Sequence, residues 1–231
     1  MIKPDVIVSW PRSADYPVWR QFIHSYREYF NYIIIAFTET NQGPDHRAFV
    51  RESMQRDYCL FLDPRDLTVG EDWRDVAVNQ ALLHSYNSEW IWFTEQDFFP
   101  KKVFLEEWEL KTNYDYIGVK DGDRLHPCSL LIKRSALGKT RRFFGVQTNK
   151  HDHFGGIQED LERENLSGFI QSPTTYTHMA GLSHNMSLLE RGESPNYKPE
   201  ELKLYAEDCL NIPDVPQNEH LNKLFKTWLK K

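Results

Sequence analysis

Two acidic residues stand two positions apart where a short apolar stretch of the chain ends. Residues 90–93 are apolar, and Glu95-Gln96-Asp97 follows after a single threonine. Because alternate side chains of an extended strand point to the same side, Glu95 and Asp97 are expected to share one side. Two carboxylates in that position suit a hard divalent cation, which takes oxygen ligands and can also hold substrate phosphates. The alternative is that these residues are simply acidic side chains where the strand passes into a loop, and that they bind no metal.

A second acidic pair, Glu159-Asp160, follows Gly155 and Gly156. The glycines allow a tight turn and a close approach of the backbone to a ligand, and we expect a loop there that opens a helix. A carboxylate at the start of a helix can take the proton of a substrate hydroxyl as a general base. The alternative is an acidic first turn that only complements the helix dipole.

Histidines near the end of the second half are the third group. His178 and His184 lie six residues apart, and a neutral imidazole is a good ligand for a divalent metal. His151 and His153 could share one side of an extended segment. The alternative for each of them is a polar histidine in a loop with no ligand.

The elements that would position these groups alternate along the chain. Apolar stretches predict strands at residues 5–10, 32–37, 58–62, 90–93, 116–119 and 129–132, and helical spacing predicts helices at 15–30, 72–86 and 101–111. Strands that are apolar throughout and alternate with helices are typical of a parallel sheet covered on both faces. We therefore expect an α/β fold with a Rossmann-like, mostly parallel mixed sheet. Ligands bind at the carboxyl ends of the strands in such sheets, which is where residues 95–97 fall.

In this order of motifs the chain resembles the GT-A glycosyltransferases, in particular their family 2-like group, over about residues 4–190. The resemblance implies transfer of a sugar from a nucleotide-sugar donor to an acceptor hydroxyl with Mn²⁺ or Mg²⁺. It implies that Asp97, with Glu95 and His178, holds the metal on the donor diphosphate. His184 is the second choice for the histidine.

The same resemblance implies roles for the second acidic pair and for the donor site. Asp160, or as a second choice Glu159, would take the proton of the acceptor hydroxyl. The donor would be UDP- or GDP-linked, and its contacts would come from Pro11, Arg12, Glu39, Asp63, Arg74 and Asn79. The basic stretch at 133–142 could face the phosphates or an anionic acceptor, or could be a solvated loop. The chemical class of the acceptor stays open.

Two other functions are compatible with these motifs. A nucleotidyltransferase would share the sheet and the metal-bound diphosphate, but no glycine-rich phosphate loop with a lysine follows the first strand. A glycosyltransferase-like domain that only binds a ligand or partner is the non-enzymatic alternative.

Composition excludes several classes of protein. The chain has 231 residues, 14% of them aromatic, and such a content of large apolar groups argues against disorder. No apolar run approaches the roughly 20 residues of a membrane span, and the first residues do not form a signal peptide. Three widely spaced cysteines build neither a disulfide framework nor a CxxC metal site, which favours a cytoplasmic protein. A formal net charge of −6 gives no strong nucleic-acid signal.

The last part of the chain differs in character from the rest. We expect a transferase domain over residues 1–195 and a C-terminal extension over 196–231. A basic amphipathic helix in the extension could dock on its own domain or contact an anionic membrane surface. Four aromatic residues near predicted strand ends are candidates to line a sugar or base pocket, namely Trp10, Trp73, Phe98 and Phe99.

Overall fold

The fold is described by a computed structural model for residues 2–10, 26–37, 58–61, 78–79, 81–85, 88–95, 98–140 and 155–178. The strands in these segments are β1 (Asp5–Trp10), β2 (Ile33–Phe37), β3 (Tyr58–Phe61), β4 (Trp90–Glu95), β5 (Phe98–Pro100), β6 (Tyr116–Asp121), β7 (Arg124–Lys133), β8 (Gly168–Ile170) and β9 (Tyr176–His178). The α-helices are α1 (Lys102–Leu110), α2 (Arg134–Leu137) and α3 (Gly155–Arg163), with short 3-10 helices at Arg27–Tyr29 and Pro173–Thr175.

Seven of these strands form one mixed sheet in the order β3-β2-β1-β4-β7-β6-β8. Strands β1 to β4 run parallel to one another, and β8 runs parallel to β6. Strand β7 is antiparallel to both of its neighbours, β4 and β6. The predicted α/β fold with a mostly parallel, mixed sheet is confirmed. A separate two-stranded antiparallel ribbon joins β5 to β9.

Aromatic side chains fill the core on one face of the sheet. The ring of Trp92 on β4 stacks on Phe30 at a centroid distance of 5.4 Å and meets Trp108 of α1 edge to face at 5.2 Å. The indole nitrogens keep their hydrogen bonds in this core. Trp92 Nε1 donates to Ser129 Oγ at 2.8 Å, and Trp108 Nε1 donates to Gln171 Oε1 at 3.3 Å. Buried rings of this kind stabilise the fold through their large apolar area, and their satisfied N–H groups avoid a desolvation cost.

Aliphatic side chains dominate the opposite face. Ile7, Ile34 and Ile91 of the central strands pack there with Ile157 and Leu161 of α3. Both faces of the central strands are therefore buried, which explains why their sequences are apolar throughout.

Phe98 and Phe99 belong to the aromatic core. Their side chains are 0% and 2% exposed. The expectation that they line a ligand pocket is therefore wrong for these two residues, because neither presents its ring to solvent. The side chain of Trp10 and all of Trp73 lie outside the described residues.

A buried carboxylate fixes the amino-terminal end of β1. Asp5 is fully buried and accepts hydrogen bonds from Asn31 Nδ2 and Ser85 Oγ, each at 2.8 Å. Arg134, the first residue of α2, lies 3.6 Å from Asp5 Oδ2 and donates to the carbonyls of Ser85 and Ser88. One guanidinium thus joins β1, α2 and the segment before β4.

This location corrects part of the interpretation of the basic stretch at 133–142. Lys133 pairs with Trp90, the first residue of β4, whereas Glu95 is its last. Five residue steps separate these two ends, a distance of about 17 Å at the usual strand rise. Lys133 and Arg134 therefore do not face a ligand at the carboxyl end of β4. Residues 141–142 lie beyond the described part of the chain.

Two predictions, the division at residue 195 and the basic C-terminal helix, concern residues that the structure does not describe. Residues 196–231 fall outside the described segments, so the division at residue 195 and the basic C-terminal helix remain predictions. Within the segments that are described, no helix combines the length and the hydropathy needed to cross a bilayer.

Replacing Arg134 by methionine tests the anchor at Asp5. The substitution keeps an unbranched side chain but leaves a buried carboxylate without its cation, so we expect a loss of about 3 kcal/mol in the free energy of unfolding. Urea denaturation followed by circular dichroism measures this loss. Lys120→Met, at an exposed position of β6, is the matched control and should change stability by less than about 0.5 kcal/mol. Equal losses for both variants would contradict the anchoring role.

Candidate functional site

The candidate site lies at the carboxyl end of β4, the central strand of the sheet. Glu95 is the last residue of β4 and pairs with Ser9 of β1 on one side. On the other side Thr94 pairs with Ser129 of β7. Since β7 runs antiparallel, its first half lies beside the end of β4. Residues from β4 and from the first half of β7 are therefore neighbours at this edge.

The ribbon of β5 and β9 brings a histidine to the same place. Phe98 of β5 lies only three residues after Glu95 in the chain, and it pairs with His178 of β9. As a result His178 Nε2 lies 3.6 Å from Glu95 Oε2, with side chains that are 15% and 19% exposed. The structure thus brings together two of the residues that the sequence analysis proposed as metal ligands. Asp97, the third, lies outside the described residues, as does His184.

Two further side chains that the sequence analysis did not propose complete this cluster. His126 and Cys128 of β7 lie with His178 so that one ligand atom from each falls within 4.8 Å of the others. The imidazole rings of His126 and His178 meet edge to face with centroids 4.6 Å apart. Cys128 is 1% exposed, and the two histidines are half-buried. The cluster therefore holds a carboxylate, two imidazoles and a thiol at one end of the sheet.

An irregularity in β7 explains how these side chains come together. The pairing of β6 with β7 shifts register between Gly118, which pairs with Leu130, and Lys120, which pairs with Leu125. This bulge contains His126-Pro127-Cys128, and proline, which has no N–H to donate, is found in strands mainly at edges and bulges. Bulges redirect side chains relative to the regular alternation of a strand.

Two hydrogen bonds hold the bulge in place. Thr94 Oγ1 of β4 donates to the carbonyl of Cys128 at 3.1 Å, in a buried position. The backbone N–H of Cys128 donates to His126 Nδ1 at 3.1 Å. The end of β4 therefore positions the backbone of Cys128, and Cys128 in turn orients the ring of His126.

The predicted strand begins at residue 129, so His126 and Cys128 were not among the predicted ligands. The observed strand begins five residues earlier, at Arg124. The three cysteines form no CxxC pair, so no metal site was predicted from them. The signal that could have found the pair is the spacing of His126 and Cys128, two residues apart in the run leading into an apolar strand.

The second acidic pair lies on α3, which packs against β7 near the same end of the sheet. Leu125 N donates to Gln158 Oε1 at 2.9 Å, so α3 contacts the residue that precedes His126. Gly155 and Gly156, expected in a loop, form the first turn of this helix. Asp160 is fully buried and Glu159 is exposed.

The carboxylate of Asp160 forms an ion pair with Arg163, one turn later on α3. Hydrogen bonds first to Glu164 and then to Asp160 raise the pKa of Arg163 above its ordinary value. The ion pair with Arg163 restricts the orientation of the Asp160 carboxylate. Glu159, by contrast, presents its carboxylate to solvent.

The predicted donor contacts are mostly outside the described residues. Asn79 lies on a helical segment that ends near Ser85, and it is half-buried with its Oδ1 atom inaccessible to solvent. The remaining predicted contacts fall in undescribed segments, namely Pro11, Arg12, Glu39, Asp63 and Arg74. Their roles stay predictions.

Comparison with known proteins identifies the fold. No protein-family model matches the chain, and no curated protein matches its sequence. Among solved structures the chain is similar to TarS of S. aureus, with a TM-score of 0.53 at 13% identity over 99% of this chain and 71% of that one. It spans only 43% of a longer TarS structure, which it matches with a TM-score of 0.54.

A second similar structure is a mutant of Drosophila β1,4-galactosyltransferase 7 in complex with manganese, UDP-Gal and xylobiose. Its TM-score is 0.50 at 9% identity, over 88% of this chain and 79% of that one. These likenesses at low identity show the fold. The chain has the GT-A fold of nucleotide-diphospho-sugar transferases.

Proposed function

We propose that the chain is a glycosyltransferase that moves a sugar from a nucleotide-sugar donor to an acceptor hydroxyl, with its transferase domain in residues 1–195. The observation that carries the proposal is the contact of Glu95 with His178 at the carboxyl end of β4. In open α/β sheets this is the end at which ligands bind, and the chain has the fold of nucleotide-sugar transferases.

The donor diphosphate would lie at the end of β4, and the nucleoside would lie over the ends of β1 to β3. Pro11, Arg12, Glu39 and Asp63 follow those strands in the sequence, which supports their assignment to the nucleoside. The galactosyltransferase of similar fold was solved with UDP-Gal, so UDP-linked sugars are the first donors to test and GDP-linked sugars the second.

A divalent metal fits the carboxyl end of β4. Glu95 and Asp97 offer carboxylate oxygens and His178 offers an imidazole nitrogen. A set that mixes oxygen and nitrogen favours Mn²⁺ over Mg²⁺, because Mg²⁺ prefers oxygen ligands and keeps several waters. When bound, the metal would neutralise the charge that develops on the leaving diphosphate.

Asp160 is proposed as the general base, with Glu159 as the second choice. Because Asp160 is fully buried and paired with Arg163, this role requires the pair to open when the acceptor binds, whereas Glu159 is already exposed. In the transfer step the acceptor oxygen bonds to the anomeric carbon while the bond from that carbon to the phosphate oxygen breaks. The nucleoside diphosphate leaves, and the acceptor proton passes to the carboxylate. The position of α3 against Leu125, next to His126, supports a base at this end of the sheet.

Replacing Asp97 by alanine tests the metal site. With a panel of UDP- and GDP-linked sugars and Mn²⁺, the intact chain should release a nucleoside diphosphate, and the variant should release it about a hundredfold more slowly, because charge on the leaving group is no longer neutralised. Nucleotide release is measured by a coupled assay. The control Asp123→Ala changes an exposed carboxylate in the turn before β7 and should leave the rate unchanged.

The same assay separates the alternatives. Unchanged release by Asp97→Ala would remove that residue from the site. Pyrophosphate as the product would indicate a nucleotidyltransferase. The absence of any nucleotide-dependent rise in thermal stability would favour a non-catalytic binding domain, since a ligand at a hundred times its Kd adds about 2.7 kcal/mol of stability.

Replacing Asp160 by asparagine tests the base. The change keeps the shape of the side chain but removes its ability to take a proton, so we expect kcat to fall at least about a hundredfold. Donor binding, read by thermal shift, should stay within twofold of the original. Glu106→Gln, an exposed change on α1, is the control. Unchanged kcat, or loss of donor binding, would contradict the role of Asp160 as base.

A further inference from the structure

The cluster at the end of β4 contains donors that a diphosphate-bound Mn²⁺ or Mg²⁺ does not need. Those ions are hard and prefer oxygen ligands, whereas thiolate and imidazole suit zinc and similar transition metals. His126, Cys128 and His178 bring two nitrogens and a sulfur within 4.8 Å of one another. The chemistry of this set therefore differs from that of the carboxylates at 95 and 97.

We propose that His126, Cys128 and His178 bind Zn²⁺, with the fourth position open and the Glu95 carboxylate in contact with His178. The proposal deepens the proposed function, because His178 belongs to both metal sites, so that Zn²⁺ and Mn²⁺ are alternative occupants that compete for this histidine. It also rests on observations of its own, since the residues of β7 play no part in the proposed transfer.

The spacing of the ligand atoms is close to what zinc requires. At bond lengths of about 2.0–2.1 Å to nitrogen and 2.3 Å to sulfur, tetrahedral ligand atoms lie about 3.3–3.7 Å apart. The observed upper limit is 4.8 Å, so side-chain movements of about 1 Å close the site. Glu95 Oε2 lies 3.6 Å from His178 Nε2, so a carboxylate contacts one of the three ligands.

Three kinds of contact hold the strands that carry these ligands, namely a hydrogen bond, a strand pairing and a ring contact. The hydrogen bond from Thr94 holds the carbonyl of Cys128, and the pairing of Phe98 with His178 holds β9. The ring of Phe98 packs in turn on Tyr176 of β9, with centroids 4.9 Å apart. A site on strands that are held in this way keeps its ligands in place before the metal arrives, which favours binding.

Binding requires two local changes. The thiol of Cys128 must lose its proton to the solvent as the sulfur–metal bond forms. His126 Nδ1 now accepts from the N–H of Cys128, so its lone pair must turn from that amide to the metal if Nδ1 is the ligand atom. Three protein ligands that leave the fourth position open are the arrangement of zinc sites that bind water or substrate there.

Metal binding by the untagged chain of 231 residues, freed of metal by a chelator, tests the proposal without any donor. Zn²⁺ is titrated by calorimetry, and Co²⁺ is used as the spectroscopic probe. We expect one Zn²⁺ per chain and a thiolate-to-cobalt charge-transfer band. Cys128→Ser should abolish the band and weaken Zn²⁺ binding at least about a hundredfold, while the matched control Cys209→Ser should change neither.

A second readout uses only the natural sequence, in case the variant does not fold. X-ray absorption at the zinc edge of the Zn²⁺-loaded chain should show one sulfur at about 2.3 Å and nitrogen ligands at about 2.0–2.1 Å. A cobalt complex without the thiolate band, together with a zinc shell that contains no sulfur, would overturn the zinc site. If the zinc site fails in this way but Mn²⁺-dependent transfer is measured, the proposed transferase function still holds. If zinc binds as expected but no transfer occurs with any donor, the zinc site holds and the transferase function is contradicted.

Discussion

The antiparallel pairing of β4 with β7 determines which side chains meet in this protein. Among the described strands, the other neighbours of β1 to β4 run parallel to them, and β7 is the strand of the second half of the chain that pairs with β4. The register of Thr94 with Ser129 places the first half of β7 beside the carboxyl end of β4. The same register places Lys133 at the opposite end. A single strand pairing thus separates the candidate site from the basic residues that follow β7.

The aromatic core and the candidate site depend on the same pairing. Trp92 spans from β4 to β7 through its hydrogen bond to Ser129, and Thr94 makes the next link to the carbonyl of Cys128. Both links are buried, so losing either partner would leave an unsatisfied polar group at a cost of about 1–3 kcal/mol. The packing that stabilises the sheet therefore also holds the bulge that carries His126 and Cys128. At the other end of the strands, the pair of Asp5 with Arg134 has a purely structural role.

Sequence patterns predicted the parallel half of the sheet well because its strands are buried on both faces. Strand β1 has the predicted bounds, and β2 and β3 differ from prediction by one residue each. The resemblance to GT-A glycosyltransferases, rather than a sequence pattern, put Glu95 and His178 in one metal site, and the two side chains are in contact. The start of β7 could not be predicted in this way, because a strand with a bulge and a proline loses the regular alternation on which the pattern depends. Phe98 also looked like a pocket residue because part of its burial comes from Tyr176 of β9, which is distant in sequence.

A crystal structure of the 231-residue chain grown with UDP and Mn²⁺, with the metal located by its anomalous signal, tests the candidate site most directly. We expect an anomalous peak within coordination distance of Glu95 or His178, with the diphosphate beside it at the carboxyl end of β4. A nucleotide bound at the opposite end of the strands, near Lys133 and Arg134, or a metal peak remote from both Glu95 and His178, would contradict it.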